Sequence, residues 1–256
     1  MAQIKVGVVG AGGKMGRATC VAVGLDPDLE LVAAIDRKAV GETRHGVKLT
    51  GDLRSLADAG CEVVVDFTVA DAARVTVPWL AMHGVHAVVG TTGFTDADID
   101  GFRTEFSGSN CVIVSNFSIS AVLMMRFAEM AAPYFDSAEI IELHHEGKID
   151  APSGTAMSTA RRMAAASGEW LPDRTQHEIA PGARGAAGPA GIRVHSVRMR
   201  GLVAHQEVIL GAYGQSLTIR QDSYDVTSYM PGVVLACKHI ASHPGLTLGL
   251  DAMLGF

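Results

Sequence analysis

Several function classes are excluded by what this chain of 256 residues has little of. Positive charge is short. A formal net charge of −6 leaves no excess of Lys and Arg to neutralise a phosphate backbone, so a general nucleic-acid binder is not expected. A local cationic pocket for a small anion remains compatible with that balance. Cysteine is scarce too: Cys20, Cys61, Cys111 and Cys237 lie far apart and form no C-x-x-C pair. That usage suits buried free thiols in a reducing compartment, and a cytoplasmic location is expected. No apolar run reaches the length of a membrane span, since the best, "SAVLMMRFAEMAA", carries Arg126 and Glu129. The opening "MAQIKVGVVG" is too short an apolar run for a signal peptide and turns at once into glycines. No Gly-Lys-Ser/Thr follows those glycines, which rules out a nucleoside-triphosphate loop.

What is present begins with alternation of two kinds of segment. "IKVGVV" (4–9), "LELVAAID" (29–36), "EVVVDFT" (62–68), "HAVVG" (86–90) and "CVIVS" (111–115) are short, β-branched and almost wholly apolar. Helical compositions separate them, as at 14–24 and 70–83. Strands of this kind, spaced by helices, predict a parallel sheet covered on both faces. After "SNFSIS" the character changes. A helix over 120–132 stops at Pro133, a strand "AEIIELHH" follows, and a helix of small residues is expected over 155–166. The later strands "IRVHSVRMR", "QEVILGA" and "SLTIRQ" alternate, which predicts a mixed, largely antiparallel sheet with two unlike faces. The fold class is therefore α/β: a Rossmann-type domain, 1–117 plus 229–256, and a second, α+β domain, 118–228. The helical segment 232–242 is expected to pack back on the first domain. The stretch 181–192, rich in Gly, Ala and Pro, is expected to be a long loop, either a mobile lid or disordered.

"VGVVGAGGKMGR" places Gly10, Gly12, Gly13 and Gly16 between a strand and a helix, with Met15 in the slot of the third glycine of G-x-G-x-x-G. A tight strand-to-helix turn brings backbone N–H groups and a helix N-terminus up to a pyrophosphate. Asp36 closes the second strand, where a carboxylate can accept both ribose hydroxyls of an adenosine. Arg37 and Lys38 follow it, so both NADH and NADPH are expected to bind. "GTTGF" and "SNF" end later strands on the side where cofactors bind an open α/β sheet.

"ELHHEGKIDAPSGTA" (142–156) can be read as a metal site, as an acid/base cluster, or as a polar turn. Adjacent histidines on a strand point to opposite faces and no further ligand lies near in sequence, so no metal is expected. Lys148, the imidazoles, and a helix start with Ser153 as cap and the N–H groups of Gly154 and Thr155 form a compact receptor for a carboxylate. The same cluster can deliver a proton, so that a reduced nicotinamide beside it would reduce a C=C or C=N bond.

The stretch is similar to the signature E-x-H-H-x-x-K-x-D-A-P-S-G-T-A of the dihydrodipicolinate reductases. "GAGGKMGR", "DFT", "GTTGF" and "SNFS" match other blocks of that family in the same order, and "LVAHQEV" resembles G-x-H-x-V with Ala204 for its glycine. The resemblance implies reduction of 4-hydroxy-tetrahydrodipicolinate to tetrahydrodipicolinate plus water, in diaminopimelate and lysine biosynthesis. It implies His144 as acid/base and Lys148 as proton donor, with His145, Ser153, Gly154 and Thr155 holding the substrate. It implies cofactor contacts at Gly10, Ala11, Gly12, Gly13, Lys14, Met15, Asp36, Arg37, Gly90, Thr91, Thr92, Val114, Ser115, Asn116 and Phe117. A homotetramer built through the second domain's sheet is implied as well. Glu146 departs from the family's usual basic residue and is expected to subtract positive charge near the pocket. The rival reading is another two-domain NAD(P)-dependent dehydrogenase of a small anionic substrate. Its phosphorylating version needs a nucleophilic Cys followed downstream by a His, and the nearest candidate, Cys111, sits inside an apolar strand, which counts against that version.

Overall fold

Val6, Val8, Val64 and Val65 have no exposed surface, as strands covered on both sides require. The computed structural model describes residues 2–256. Along the chain come β1 (Ile4–Val9), α1 (Lys14–Leu25), β2 (Leu29–Ile35), β3 (Thr43–Arg44), β4 (Val47–Lys48) and α2 (Arg54–Asp58). Next are β5 (Val63–Asp66), α3 (Ala70–Met82), β6 (His86–Val89), α4 (Asp96–Glu105) and β7 (Cys111–Ile113). Then follow α5 (Ile119–Ala131), β8 (Ser137–His144), α6 (Gly154–Ala166), β9 (Ala186–Ala187), β10 (Arg193–Arg198), β11 (Ala204–Ala212) and β12 (Gln215–Ser223). The chain ends with α7 (Met230–His239) and β13 (Leu246–Leu248). It divides into two units, one made of the residues up to Ile119 with Val226–Phe256, the other of Ser120–Asp225. The sequence places these divisions at 117/118 and 228/229, two to three residues away.

In the first unit six parallel strands run in the order β13-β7-β6-β5-β1-β2. The order reverses at β1, with β2 on one side and β5 on the other. An open sheet binds its ligand in the crevice at such a switch point, beyond the carboxyl ends of the strands. The returning helix α7 fits closely here: a Cβ on Gly232 would stand 2.1 Å from the Phe117 carbonyl oxygen. Lys238, in its last turn, pairs with Asp26 at 2.8 Å and Asp28 at 2.6 Å. Helix α4 starts at a capping box in which Thr95 Oγ1 accepts from Asp98 N and Thr95 N donates to Asp98.

The second unit holds a five-stranded sheet, β12-β11-β8-β10-β9, antiparallel except where β10 runs parallel to β8. Its two faces differ as the alternation predicts. Ile140, Glu142, Val194, Val208 and Leu210 share the face whose residues are buried. Glu139, Ile141, Leu143, Val197 and Ile209 share the other and keep part of their surface exposed. The stretch 181–192 is not the structureless loop that its composition suggests. Ala186 and Ala187 pair with Val194 and Arg193, and a short 3-10 turn spans Pro189–Gly191. Ladder pairing uses only backbone, so a run of Gly and Ala can join a sheet edge without any side-chain signal.

Candidate functional site

In the first unit every segment expected to hold a cofactor lies at the carboxyl end of a strand. Gly10 takes φ +82°, and a Cβ on it would stand 2.3 Å from the Phe67 carbonyl oxygen. A Cβ on Gly12 would meet the Asp36 carboxylate at 2.7 Å. Gly13 caps α1 with no side-chain hydrogen bond, so no side chain occupies the N–H groups of the first turn. This cradle and dipole fit the pyrophosphate of a dinucleotide. Met15 is tolerated in the third glycine slot because Gly16 takes over that slot's packing role: its Cβ would fall 2.0 Å from the Gly10 oxygen. Gly16→Ala should therefore cost about 1–3 kcal/mol by overpacking against backbone. Gly13→Ala, whose nearest neighbour is at 3.3 Å, should cost less. Thermal melts of the two variants check the order.

The Asp36 carboxylate already accepts hydrogen bonds from the backbone. Its Oδ2 accepts from Gly12 N at 2.9 Å, and its Oδ1 from Lys38 N at 2.8 Å and Ala39 N at 3.1 Å. A carboxylate offers about four lone-pair positions, so roughly one is left, enough for one ribose hydroxyl rather than two. Arg37 and Lys38 are exposed beside it. Gly90 is required by its neighbour, since a Cβ there would stand 2.0 Å from the Phe67 ring. That ring meets Phe117 edge-on at 5.6 Å. Thr91 is buried and Thr92 exposed, while Val114 and Phe117 have buried side chains and Ser115 is exposed. Arg17 was missed by sequence reasoning. Its Nε donates to Gly12 O at 2.8 Å, which sets an exposed guanidinium against the glycine turn. Its place one turn into α1 was the available signal.

In the second unit β8 ends at His144, so His145 lies outside the strand and the alternation that would drive the two rings apart no longer binds them. His145 is exposed, and its N–H donates to Val203 O at 3.3 Å. The turn closes with Lys148 N donating to His145 O at 3.1 Å. Lys148 Nζ holds both oxygens of Asp150, at 2.7 and 2.9 Å. Ser153 caps α6 as expected, its Oγ accepting from Ala156 N at 3.2 Å. Nothing stands within 4 Å of a Cβ built on Gly154, so open space faces this helix N-terminus. Glu146, expected to subtract charge, is paired: Arg200 Nε lies 2.6 Å from its carboxylate. His205, from the "LVAHQEV" block, is saturated by Asp222 at 2.7 Å on Nδ1 and by Val203 N at 3.2 Å on Nε2. Its part is structural.

Two residues that sequence reasoning did not single out organise this cluster. Glu142, two positions before His144 and so on the same face, is fully buried and takes His144 Nδ1 at 2.5 Å. Arg198 stands opposite His144 in the β8–β10 register and grips Glu142 with two N–H···O bonds of 2.8 Å. Its Nη2 also donates to Asp150 O at 2.6 Å. Burial pushes the Glu142 carboxyl up, but hydrogen bonds from Arg198, Ser196 and His144 outweigh it and hold the group below the usual Glu range. An ionised Glu142 receives the Nδ1–H of His144 and leaves its Nε2 as an acceptor. The period of two was the signal for Glu142. Nothing local signalled Arg198.

Burial lowers the His144 pKa, Glu142 pulls it back up, and the charges of Lys148 and Arg198 lower it again; the balance lies below the usual His range. The unfolded chain therefore binds this proton more readily than the folded one. Stability contributed by neutral His144 is complete above about pH 6.5 and is lost as pH falls toward the folded pKa. Denaturant titrations at neutral and mildly acidic pH should show a shallower loss of stability in His144→Gln than in the unaltered chain. An equal slope would assign the loss to other groups.

Among the described residues no helix is long and apolar enough to cross a membrane, and no three His, Cys, Asp or Glu gather as a metal site. The family described as dihydrodipicolinate reductase matches in two parts, its N-terminus over residues 4–117 and its C-terminus over 120–254. A 4-hydroxy-tetrahydrodipicolinate reductase of Corynebacterium aurimucosum is 49% identical, covering 98% of this chain and 99% of its own. One from Nocardia farcinica is 50% identical over 98% of both chains. Among solved structures, a dipicolinate-bound dihydrodipicolinate reductase from Paenisporosarcina sp. TG-14 is 36% identical, with a TM-score of 0.90 over 98% of this chain and 99% of that one. Two matched halves, end-to-end identity and a shared fold leave one assignment: the chain belongs to the dihydrodipicolinate reductase family.

Proposed function

We propose that the chain reduces 4-hydroxy-tetrahydrodipicolinate to tetrahydrodipicolinate, using NADH or NADPH and releasing water, in diaminopimelate and lysine biosynthesis. The observation that carries this is the second unit's cluster: an oriented His144, a Lys148 ammonium, and the N-terminus of α6 opening on free space at Gly154. NAD(P)H, held by the glycine turn, Asp36 and Arg37 with the ends of β6 and β7, supplies the hydride. The substrate is a dicarboxylate, and α6 offers one carboxylate its dipole and the N–H groups of Gly154 and Thr155. His145 is placed to hold the same anion. Lys148 is engaged with Asp150, and an incoming carboxylate replaces that partner. Lys148 then donates the proton that balances the hydride. His144 Nε2, made an acceptor by the Nδ1–H···Glu142 bond, takes the proton from the carbon beside the hydroxyl-bearing one and passes it to the departing hydroxyl, which leaves as water.

The test is the disappearance of reduced-nicotinamide absorbance with the condensation product of aspartate semialdehyde and pyruvate as substrate. Both cofactors should support turnover, because Asp36 keeps an acceptor for a ribose hydroxyl while Arg37 is exposed for a 2′-phosphate. No turnover with either cofactor sinks the reading. The phosphorylating semialdehyde dehydrogenase alternative lacks its nucleophile, since Cys111 is fully buried and burial raises its thiol pKa strongly. A cytoplasmic location suits four buried free cysteines. The half-exposed sheet face bearing Ile141, Leu143, Val197 and Ile209 is assigned to contact with other copies in a homotetramer, which light scattering checks.

A further inference from the structure

The "DFT" block, Asp66–Thr68, has no part in the chemistry above, yet it ends β5 beside the switch point. Asp66 is fully buried, and no cation stands among the groups that perturb it. Its Oδ1 accepts three hydrogen bonds: from Thr68 N at 3.0 Å, Thr68 Oγ1 at 2.7 Å and Thr91 Oγ1 at 2.7 Å. Its Oδ2 is buried with no hydrogen-bond partner. Leaving a carboxyl oxygen unpaired in the interior is costly, so a fold that keeps it has a use for the other oxygen.

The direction of these bonds is the informative part. Thr91 Oγ1 spends its proton on Asp66 and accepts from Thr68 N at 2.9 Å. Thr91 is almost wholly enclosed, so it links the ends of β5 and β6. Thr68 also spends its hydroxyl proton on Asp66, but its side chain is only half-buried. A hydroxyl has one proton and two lone pairs. With the proton committed inward, the accessible side of Thr68 Oγ1 is an acceptor and cannot act as a donor. It selects a ligand N–H, and the dinucleotide carries such a group in its carboxamide.

We propose that Asp66 is a positioning residue for the cofactor: it fixes Thr68 Oγ1 as the acceptor for the N–H of the nicotinamide carboxamide and ties it through Thr91 to the end of β6. This rests on the reading that the first unit binds NAD(P)H. Burial raises the Asp66 pKa against the Thr68 and Thr91 hydrogen bonds, and either protonation state leaves Oδ1 an acceptor.

The experiment is calorimetric titration, without substrate, of the full chain with NADH and with reduced 3-acetylpyridine adenine dinucleotide. The analogue keeps the ring carbonyl and replaces the amide NH2 by a methyl. The affinity ratio of NADH to analogue should fall about three- to tenfold in Thr68→Val and in Asp66→Ala, the size of one neutral hydrogen bond. Asp66→Asn keeps an acceptor oxygen in the Oδ1 position and should retain the ratio, which a purely structural loss of charge would not. In turnover, Thr68→Val should raise the KM for NADH more than it lowers kcat. An unchanged ratio in Thr68→Val overturns the proposal, even if Asp66→Ala fails to fold. Absence of NADH binding by the unaltered chain would overturn the cofactor reading with it, so the two failures are distinct.

Discussion

Lys148→Met is expected to lower kcat by about a hundredfold to ten-thousandfold, the range for removing a positioned acid or base, while the Kd for NADH stays near its original value. Methionine keeps a flexible apolar stem of similar reach and removes only the ammonium. The Kd should hold because Lys148 belongs to the unit made of Ser120–Asp225, whereas the glycine turn and Asp36 belong to the other. His144→Gln should reduce kcat by a similar factor. If the two side chains serve one proton route, the double variant costs little more than either single one, as groups acting together are strongly non-additive. Single-turnover kinetics and a fluorescence titration of NADH separate the two effects. Weak NADH binding with preserved turnover of the bound complex would sink these roles.

How much of this could be read in the sequence follows from where each constraint originates. The glycine turn was legible because Gly10 and Gly16 answer to backbone geometry within a few residues, which leaves a local mark. The departure at Met15 was legible as a departure, but its remedy by Gly16 needed the distance to Gly10 O. The segment 142–156 was legible as a strand running into a capped helix, because β8, the turn and α6 are consecutive. Glu146 shows the opposite case. Its charge is visible in sequence, while the Arg200 that pairs with it comes from the segment after β10. For Asp36 the carboxylate at the strand end was legible, but the three backbone N–H groups that claim it were not. Arg198 was invisible, since only the parallel pairing of β10 with β8 puts it opposite His144.

Arg198→Met carries the largest expected cost in stability. Glu142 is fully buried, and removing the guanidinium leaves its carboxylate with hydrogen bonds from Ser153 N at 3.2 Å, His144 and Ser196. Breaking a buried pair by deleting one partner costs about 3–5 kcal/mol, and the low end applies because Arg198 keeps 19% of its side chain exposed. The pH dependence gives the sign. In the unaltered chain Glu142 lies below the usual Glu range, so its stabilisation is present above about pH 4.3 and is lost as pH falls through the folded pKa. Without Arg198 the largest opposing hydrogen bond is gone and burial pushes the carboxyl up. The deficit in Tm should then be greatest at neutral pH and shrink toward acid. The variant also loses the tether from Arg198 Nη2 to Asp150 O, which holds the loop between Lys148 and Ser153. Adding Glu142→Gln should restore most of the stability, since no charge is left buried. It should not restore kcat, because a neutral amide does not stabilise the imidazolium that forms when His144 takes its proton. Recovery of both would reduce the pair to a structural brace; recovery of Tm alone marks it as the device that sets the His144 tautomer.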